Sequence, residues 1–336
     1  MAHEKEEPKE VLQYPLDSKS YEILDEVGSG ASSVVYKAIC MPMYPMVVAI
    51  KAVDPGQSFW LHWLLSKPIS LLSHSHPNIL NPLCSFTVDD RLWVVMPFMS
   101  AGSLQSIMSS SFPDGFSEPC IAVILKEILS ALSYLDKKAD VHKYIKPRNI
   151  LIDSNGSVKL ADFEMPSISD ISRTSYWVAP EARNLQINGY VLKADIWSFG
   201  ITALELAHGR PPLSHHDHLP PSKHKNFSKA FKDMVASCLH QDPSKRPSAE
   251  TLSNHSFFEN CGGLDFLVEN VLQGLPSVEE RFKESKIIKH EGGDSSARQC
   301  IKETRMISGW SFNEERFEID PVFQTESTDD DSRVKL

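Results

Sequence analysis

Two features near the N-terminus could bind the phosphates of a nucleotide. Gly28-Ser29-Gly30 lies between two β-rich segments, and a turn built of small residues lets backbone amides approach phosphate oxygens closely. Taken alone, such a turn more often closes an ordinary hairpin. Val48-Ala49-Ile50-Lys51 follows in another strand-like segment, where a lysine among apolar residues is explained by pairing with the α- and β-phosphates. Together the two features predict a phosphate site, with an ordinary hairpin as the alternative.

A second group of chemically capable residues lies in the middle of the chain. In sequence order it comprises His142-Lys143-Tyr144, Lys146, Asn149, Asp162-Phe163-Glu164, Ala179-Pro180-Glu181, Asp195-Ile196-Trp197 and Arg246. With the glycine turn and Lys51 before them, these motifs form an ordered series that resembles the eukaryotic protein-kinase domain over about residues 21–260. The resemblance implies a bilobal protein-kinase-like fold of the α+β class, with a small antiparallel β-rich N-lobe and a larger helical C-lobe.

Three segments point to one group of kinases. Residues 92–99, residues 193–209 and Ile307-Ser308-Gly309-Trp310 are similar to the plant sterile-20/germinal-centre type, in the group of the guard-cell blue-light signalling kinase. The resemblance implies a signalling protein related to serine/threonine kinases, with protein partners in a kinase or signalling complex.

The resemblance also assigns roles to individual positions. It places Lys51 on the nucleotide phosphates and gives Asn149 and Asp162 to magnesium, so ATP and Mg²⁺ are the implied cofactors. The remaining positions implied to contact the nucleotide are Val27, Gly28, Gly30, Val35, Ala49, Met96 and Leu151.

The position of the catalytic aspartate departs from the family pattern. Tyr144 stands there, and a phenol with a pKa near 10 is a poor general base at pH 7. Losing a general base lowers the rate by about 10²–10⁴. Lys143 replaces the preceding arginine and lacks the bidentate fork that grips a phosphorylated loop. Lys146 is retained and could contact a transferring phosphoryl group, but it cannot replace the carboxylate.

Two further departures concern charges around the nucleotide. Residues 55–88 contain no aspartate or glutamate, so Lys51 lacks the helix glutamate with which it pairs in active kinases. Glu164 replaces a glycine beside Asp162, where a second carboxylate could bind metal or repel phosphates.

Hydrophobic periodicity gives the elements that must position these residues. Strands are predicted over 21–27, 33–40, 47–53, 79–88 and 92–98, with helices over 58–73, 118–138, 194–208 and 228–239. The predicted organisation is a flexible N-terminus (1–20), a kinase-like domain (21–260) with an N-lobe over 21–98 and a C-lobe over 103–260, and an acidic, largely disordered tail (261–336) that contains one helical stretch over 264–272.

Composition excludes several classes of protein. The 336 residues carry a net charge of -10, which argues against a nucleic-acid binder. No run of about 20 apolar residues could span a membrane, and the charged N-terminus does not resemble a signal peptide. Six cysteines without a C-x-x-C pair fit reduced thiols. We therefore expect a cytoplasmic protein.

Some polar segments allow two interpretations. Arg305 lies three residues before Ser308, so Ser308 is either a phosphorylation site or an ordinary tail serine. Serines and threonines in residues 165–178 present the same choice. Three histidines, at 215, 216 and 218, suggest either zinc or, more simply, a solvated proline-rich loop.

Three hypotheses about function remain open at this stage. The first is a pseudokinase that acts as a scaffold or regulator, with or without bound ATP. The second is a weakly active serine/threonine kinase that uses Lys51, Lys146, Asn149 and Asp162. The third is a decaying gene copy whose product folds poorly, which a cooperative melt of the purified chain would contradict.

Overall fold

The computed structural model describes most of the chain, and its parts form two compact units. The described residues are 13–30, 32–54, 74–143, 145–161, 176–183, 191–210, 226–291, 307–313, 315 and 318–323. The first unit comprises Met1–His74 and Leu80–Phe98, and the second comprises Ser75–Ile79 and Met99–Leu336. The first contains an antiparallel sheet and the second is mainly helical, which confirms the predicted α+β class.

The first unit is built on a five-stranded sheet. Its strands are β1 (Tyr21–Ser29), β2 (Ser33–Cys40), β3 (Met46–Val53), β4 (Cys84–Val88) and β5 (Arg91–Pro97). They are arranged in the order β1-β2-β3-β5-β4, and every neighbouring pair is antiparallel. The strand predicted over 79–88 begins only at Cys84, because Pro82 has no N–H to donate to a ladder. The helix predicted over 58–73 lies outside the described residues.

One face of this sheet carries the core of the first unit. The buried cluster consists of Tyr21, Ala38, Cys40, Val48, Ile50, Cys84 and Val95. Part of the segment assigned to a flexible N-terminus packs here: Tyr14 contacts the cluster, and the Tyr21 hydroxyl donates to the Pro15 carbonyl at 2.8 Å. Residues 13–20 therefore lie along the sheet, because an aromatic ring at position 14 can be buried against it.

The second unit is built mainly of helices. They are α1 (Leu104–Ser111), α2 (Glu118–Lys137), α3 (Val191–His208), α4 (Lys229–Cys238), α5 (Ala249–Ser253), α6 (Leu264–Leu267), continued by a π-helical turn (Val268–Leu272), and α7 (Val278–Glu291). A small sheet of β6 (Gly102–Ser103), β7 (Ile150–Ile152) and β8 (Val158–Leu160) accompanies them. The three long predicted helices are confirmed to within about three residues, the usual uncertainty of such boundaries. No helix in the described part of the chain is long and apolar enough to cross a membrane.

Helix α1 was not predicted, although its sequence carries a start signal. Ser103 caps the helix by accepting a hydrogen bond from the Ser106 N–H at 3.2 Å. Leu104, Ile107 and Met108 are buried and follow the spacing of one helical face. A serine cap followed by this spacing is the pattern that would have identified the helix.

The C-terminal region is more structured than the predicted disordered tail. The predicted helical stretch over 264–272 is present as α6 and its π-helical turn, but α7 and a hairpin of β9 (Ile307–Asn313) and β10 (Glu318–Phe323) were not predicted. Helix α7 has a polar sequence, but one of its charged side chains is buried and holds the helix in place. Arg281, only 3% exposed, donates to the Ala101 carbonyl, to Ser106 Oγ at 3.0 Å and to the Pro276 carbonyl at 3.1 Å.

A glycine lets α7 approach the body of the unit. Gly102 has a φ of +73°, and a Cβ there would lie 2.9 Å from Val278 Cγ2. Only glycine adopts this backbone readily and leaves room for the valine. The docking of α7 thus depends on Gly102 for space and on Arg281 for hydrogen bonds.

We predict that Arg281→Met lowers the free energy of unfolding by about 2–3 kcal/mol, because it removes charge-assisted hydrogen bonds and leaves buried carbonyls unpaired. Urea denaturation would measure the loss. The control is Lys283→Met, two residues along the same helix and exposed, which should change stability by less than about 0.5 kcal/mol. Equal effects of the two substitutions would contradict the anchoring role of Arg281.

Candidate functional site

The predicted phosphate turn is closed by the β1–β2 hairpin. Gly28 pairs with Val35 and Ser29 pairs with Val34, while the Gly30 N–H donates to the Ser33 carbonyl at 2.7 Å. A Cβ at Gly28 would lie 3.4 Å from Val35 Cβ, so the hairpin is tight at this point. This geometry suits both a phosphate-covering turn and an ordinary hairpin, and the case for a phosphate therefore depends on the neighbouring strand.

Strand register places the predicted nucleotide-contacting residues on one face of the sheet. Lys51 in β3 pairs with Val35 in β2, and Ala49, two residues earlier, pairs with Met96 in β5. Paired residues share a face, and so do residues two apart in a strand. Val35, Ala49, Lys51 and Met96 therefore face the same side, opposite the cluster that contains Ile50. Val27 is half-buried in β1.

In the second unit, a buried aspartate at α3 shapes the segment before residue 144. Asp195 accepts hydrogen bonds from the His142 and Lys143 backbone N–H groups, each at 2.7 Å. Lys143 itself is exposed and has a φ of +73°, a conformation that is strained for a lysine. The two bonds hold this strained backbone in place. Burial raises the pKa of Asp195 to about 6, although both N–H donors act to lower it.

The same segment is fixed on the other side of residue 144. Ile145 is fully buried, and its carbonyl accepts a hydrogen bond from Thr202 Oγ1 at 3.0 Å. His142 Nε2 donates to the Ala161 carbonyl at 2.9 Å. Position 144 therefore lies between two anchored residues, although Tyr144 itself lies outside the described residues.

The predicted metal ligand Asn149 is described, and its surroundings suit the role. It is 5% exposed, its N–H donates to the Lys146 carbonyl at 2.9 Å, and its carbonyl accepts from the Ala161 N–H at 2.8 Å. The segment around Asn149 is thereby hydrogen-bonded to Ala161, the residue before Asp162. Amide and carboxylate oxygens are the ligands that Mg²⁺ prefers. Leu151 lies in β7, paired with Lys159. The described residues contain no cluster of three acidic, histidine or cysteine side chains that could bind a metal by itself.

Several candidate residues lie outside the described residues. These are Asp162 and Glu164, the serines and threonines of residues 165–175, the three histidines at 215–218, and Arg305. Ser308 lies on β9, at an irregularity in its pairing with β10. The structure therefore brings together Val35, Ala49, Lys51 and Met96 in one unit, and Lys143, Lys146, Asn149 and Leu151 in the other.

Sequence reasoning missed a buried acid next to the retained lysine. Glu205 in α3 is 2% exposed, and burial raises its pKa to about 8, while the nearby Trp177 indole and Lys146 charge act to lower it. Lys146 Nζ lies 5.8 Å from the Trp177 ring centroid. Within the described part of the chain, Glu205 Oε2 and Trp177 Nε1 make no hydrogen bond of normal geometry. The sequence feature that could have identified Glu205 is a single acidic residue within the mainly apolar run of residues 201–207.

Two members of the kinase-like motif series, Glu181 and Arg246, form a buried ion pair that braces the helical unit. Arg246, 1% exposed, donates to both carboxylate oxygens of Glu181, at 2.6 and 2.9 Å. Its guanidinium lies 5.2 Å from the Trp197 ring centroid and also donates to the His240 and Lys193 carbonyls. A bidentate pair with its remaining donors satisfied is the arrangement in which a buried ion pair holds a fold together.

Comparisons with known proteins agree with these features. The model of the protein kinase domain family matches residues 21–258. Serine/threonine-protein kinase fray2 of Dictyostelium discoideum is 39% identical over 301 residues, which cover 82% of this chain and 29% of that protein. Fray1 of the same organism is 34% identical over 306 residues, covering 82% of this chain and 52% of its own length.

A third relative comes from an animal. Germinal center kinase 3 of Caenorhabditis elegans is 31% identical over 309 residues, which cover 79% of this chain and 52% of that protein. The chain spans about half, or less, of the length of these three relatives.

The raised pKa of Glu205 predicts a pH-dependent stability. The folded state keeps a proton that the unfolded chain releases above its usual pKa near 4.5, so stability is full below that value and falls as pH rises towards about 8. The loss between pH 5 and pH 8 should be on the order of 3 kcal/mol. Glu205→Gln should remove most of this slope, as urea denaturation at both pH values would measure, and should leave the smaller contribution of Asp195, whose pKa is raised to about 6. An unchanged slope in the variant would contradict the assignment to Glu205.

Proposed function

The chain belongs to the protein kinase family, and we propose that it is a catalytically impaired member, a pseudokinase that acts in signalling as a scaffold or regulator. It retains the positions that contact ATP, and it has lost the group that would accept the substrate's proton. Within the family we place it near the plant sterile-20/germinal-centre kinases of the guard-cell blue-light group, on the strength of residues 92–99, 193–209 and 307–310.

One observation carries the proposal: the backbone frame of the catalytic loop is intact around a position that holds no acid. Asp195 and Thr202 anchor the residues on both sides of Tyr144. Because the backbone on both sides is held in place, the group that is missing at position 144 is the carboxylate alone. A neutral phenol supplies no comparable base near pH 7. The contacts of Asp195 and Thr202 still hold the backbone of this loop.

Two buried carboxylates of α3 are poor substitutes for the missing base. Both oxygens of Asp195 are used by backbone N–H groups, and the side chain is buried. Glu205 is 2% exposed and is mostly protonated at pH 7 with a pKa of about 8. A general base must reach the hydroxyl proton within hydrogen-bond distance and must be ionised. Each of these acids fails at least one of the two requirements.

Retention of the nucleotide positions supports ATP binding. Val35, Ala49, Lys51 and Met96 face one side of the sheet, and Asn149 with Asp162 would hold magnesium, which neutralises phosphate charge when it is bound. Residues 55–88 contain no acid, so the glutamate that the kinase family places after this lysine has no counterpart in that segment. We therefore propose that affinity is weaker than in active kinases.

A weakly active serine/threonine kinase is the second candidate. It is favoured by the retained Lys146 and Asn149, and by the serine/threonine-protein kinases to which the chain is similar. In this case Lys146 would stabilise the transferring phosphoryl without a base to remove the hydroxyl proton. Under either candidate the partners are proteins, and we propose a cytoplasmic location.

We predict that Tyr144→Asp alone does not restore ordinary kinase activity. The new carboxylate would supply a base, but residues 55–88 would still contain no counterpart of the family's helix glutamate, and both features are needed in active kinases. The measurement is phosphate transfer to a generic protein substrate, with Tyr144→Phe as the control that changes the side chain without adding an acid. Turnover within the usual range of about 1–100 per second in Tyr144→Asp would overturn this prediction.

A second prediction concerns the nucleotide alone. Lys51→Met should weaken ATP binding by about 10- to 100-fold, because a charge-assisted contact to phosphate is worth about 1.5–3 kcal/mol. Calorimetric titration of ATP with Mg²⁺ measures the change, and Lys229→Met, exposed on α4, is the matched control. If both variants bind ATP as the unmodified chain does, the nucleotide does not use Lys51 and the site is not the one proposed.

A further inference from the structure

The hairpin of β9 and β10 enters the core of the helical unit through one pair of side chains. In the antiparallel register, Phe312 lies directly opposite Ile319, and opposing residues share a face of the hairpin. Ile319 is 1% exposed and belongs to the main buried cluster of the second unit, while Phe312 is half-buried and packs against the same cluster. The pair of Phe312 and Ile319 is therefore packed into the core of the unit.

The hairpin is joined to a fixed point of the same unit. Helix α7 is held by the hydrogen bonds of Arg281 and ends at Glu291. Fifteen residues separate it from Ile307, and a chain of this length reaches at most about 50 Å. This connection is long enough for the hairpin to dock on the helical unit of its own chain. The equilibrium of such docking does not depend on protein concentration.

The hairpin needs this contact to be ordered. A lone two-stranded hairpin is at best marginally stable in water. The packing of Phe312 and Ile319 against the helical unit therefore stabilises the hairpin. The hairpin side chains whose contact with the cluster is described are Phe312 and Ile319. An element that is ordered by its docking rather than by its own stability can detach as a unit.

We propose that residues 307–323 form a releasable docking element, which occupies an apolar site on the helical unit of its own chain through Phe312 and Ile319. Release of the hairpin exposes that site. The occupant is this segment of the same molecule, and the proposal does not depend on nucleotide binding or on residual phosphate transfer. It gives the C-terminal region a binding role that the kinase-like domain does not contain by itself.

Hydrogen exchange of the full-length chain is the first test, because it needs no variant. The amides of β9 and β10 should exchange at least about 10-fold more slowly than in a free peptide of residues 303–326. Exchange at the peptide's rate would overturn the proposal. Ile319→Asp should remove the protection, because truncating or charging a buried isoleucine shifts a docking equilibrium by more than about a factor of ten.

Ile288→Asp is the matched control, since Ile288 is 71% exposed on α7. It should leave the exchange of residues 307–323 unchanged, and equal effects of the two variants would overturn the proposal. If Ile319→Asp also lowers the melting temperature of the helical unit, Phe312→Ala provides a milder variant that should still accelerate exchange in the hairpin.

A labelled peptide of residues 303–326 distinguishes docking in the same chain from other arrangements. It should bind the Ile319→Asp chain, whose site is vacated, at least about 10-fold more tightly than the unmodified chain, whose site is occupied. The same peptide carrying Ile319→Asp should bind neither. Equal binding to both chains, or a concentration-dependent dimer that Ile319→Asp dissociates, would overturn occupancy by the chain's own hairpin.

Discussion

The buried carboxylate of Asp195 is the constraint on which the central loop depends. Its two oxygens take the backbone N–H groups of His142 and Lys143 and hold Lys143 at a positive φ. Two charge-assisted bonds offset both the strained backbone and the desolvation of the acid. Because α3 carries this aspartate, the packing of one helix sets the backbone that surrounds position 144, whatever side chain stands there.

On the proposed function, the chain keeps the kinase fold after losing the catalytic base, because the contacts that hold the backbone do not need that base. The brace between Glu181 and Arg246 and the anchors of the loop contribute to folding, so their loss would destabilise the molecule. These contacts are made by residues other than the one at position 144. On the proposed function, Tyr144 in place of an acid removes the general base and leaves these contacts as they are.

Much of the fold could be predicted from periodicity and motifs, and the exceptions have physical reasons. The apolar spacing of α2, α3 and α4 was sufficient to locate them, and the ordered motifs already contained Glu181 and Arg246, which the structure pairs. Helix α7 was missed because its polar sequence hides a buried cation that is satisfied by carbonyls, and neither pattern nor propensity reveals such partners.

The candidate site was predictable in its residue types but not in its electrostatics. Lys51 and Ala49 lie two residues apart in one strand, so the alternation of side chains along a strand places both on the same face of the sheet. Burial, in contrast, sets the pKa of Glu205, and a sequence shows the acid without its environment. The hairpin pair of Phe312 and Ile319 was hidden for a related reason, because two apolar residues in an acidic tail give too short a pattern to indicate a packed face.

The most direct test of impaired catalysis is transfer of labelled phosphate from ATP, with Mg²⁺ or Mn²⁺, by the purified full-length chain to itself and to a generic protein substrate. A cooperative melt establishes that the sample is folded, and Asp162→Ala serves as the background control. The account predicts transfer no higher than in that control. Transfer that is well above background and is lost in Asp162→Ala would contradict it and make the chain an unconventional kinase.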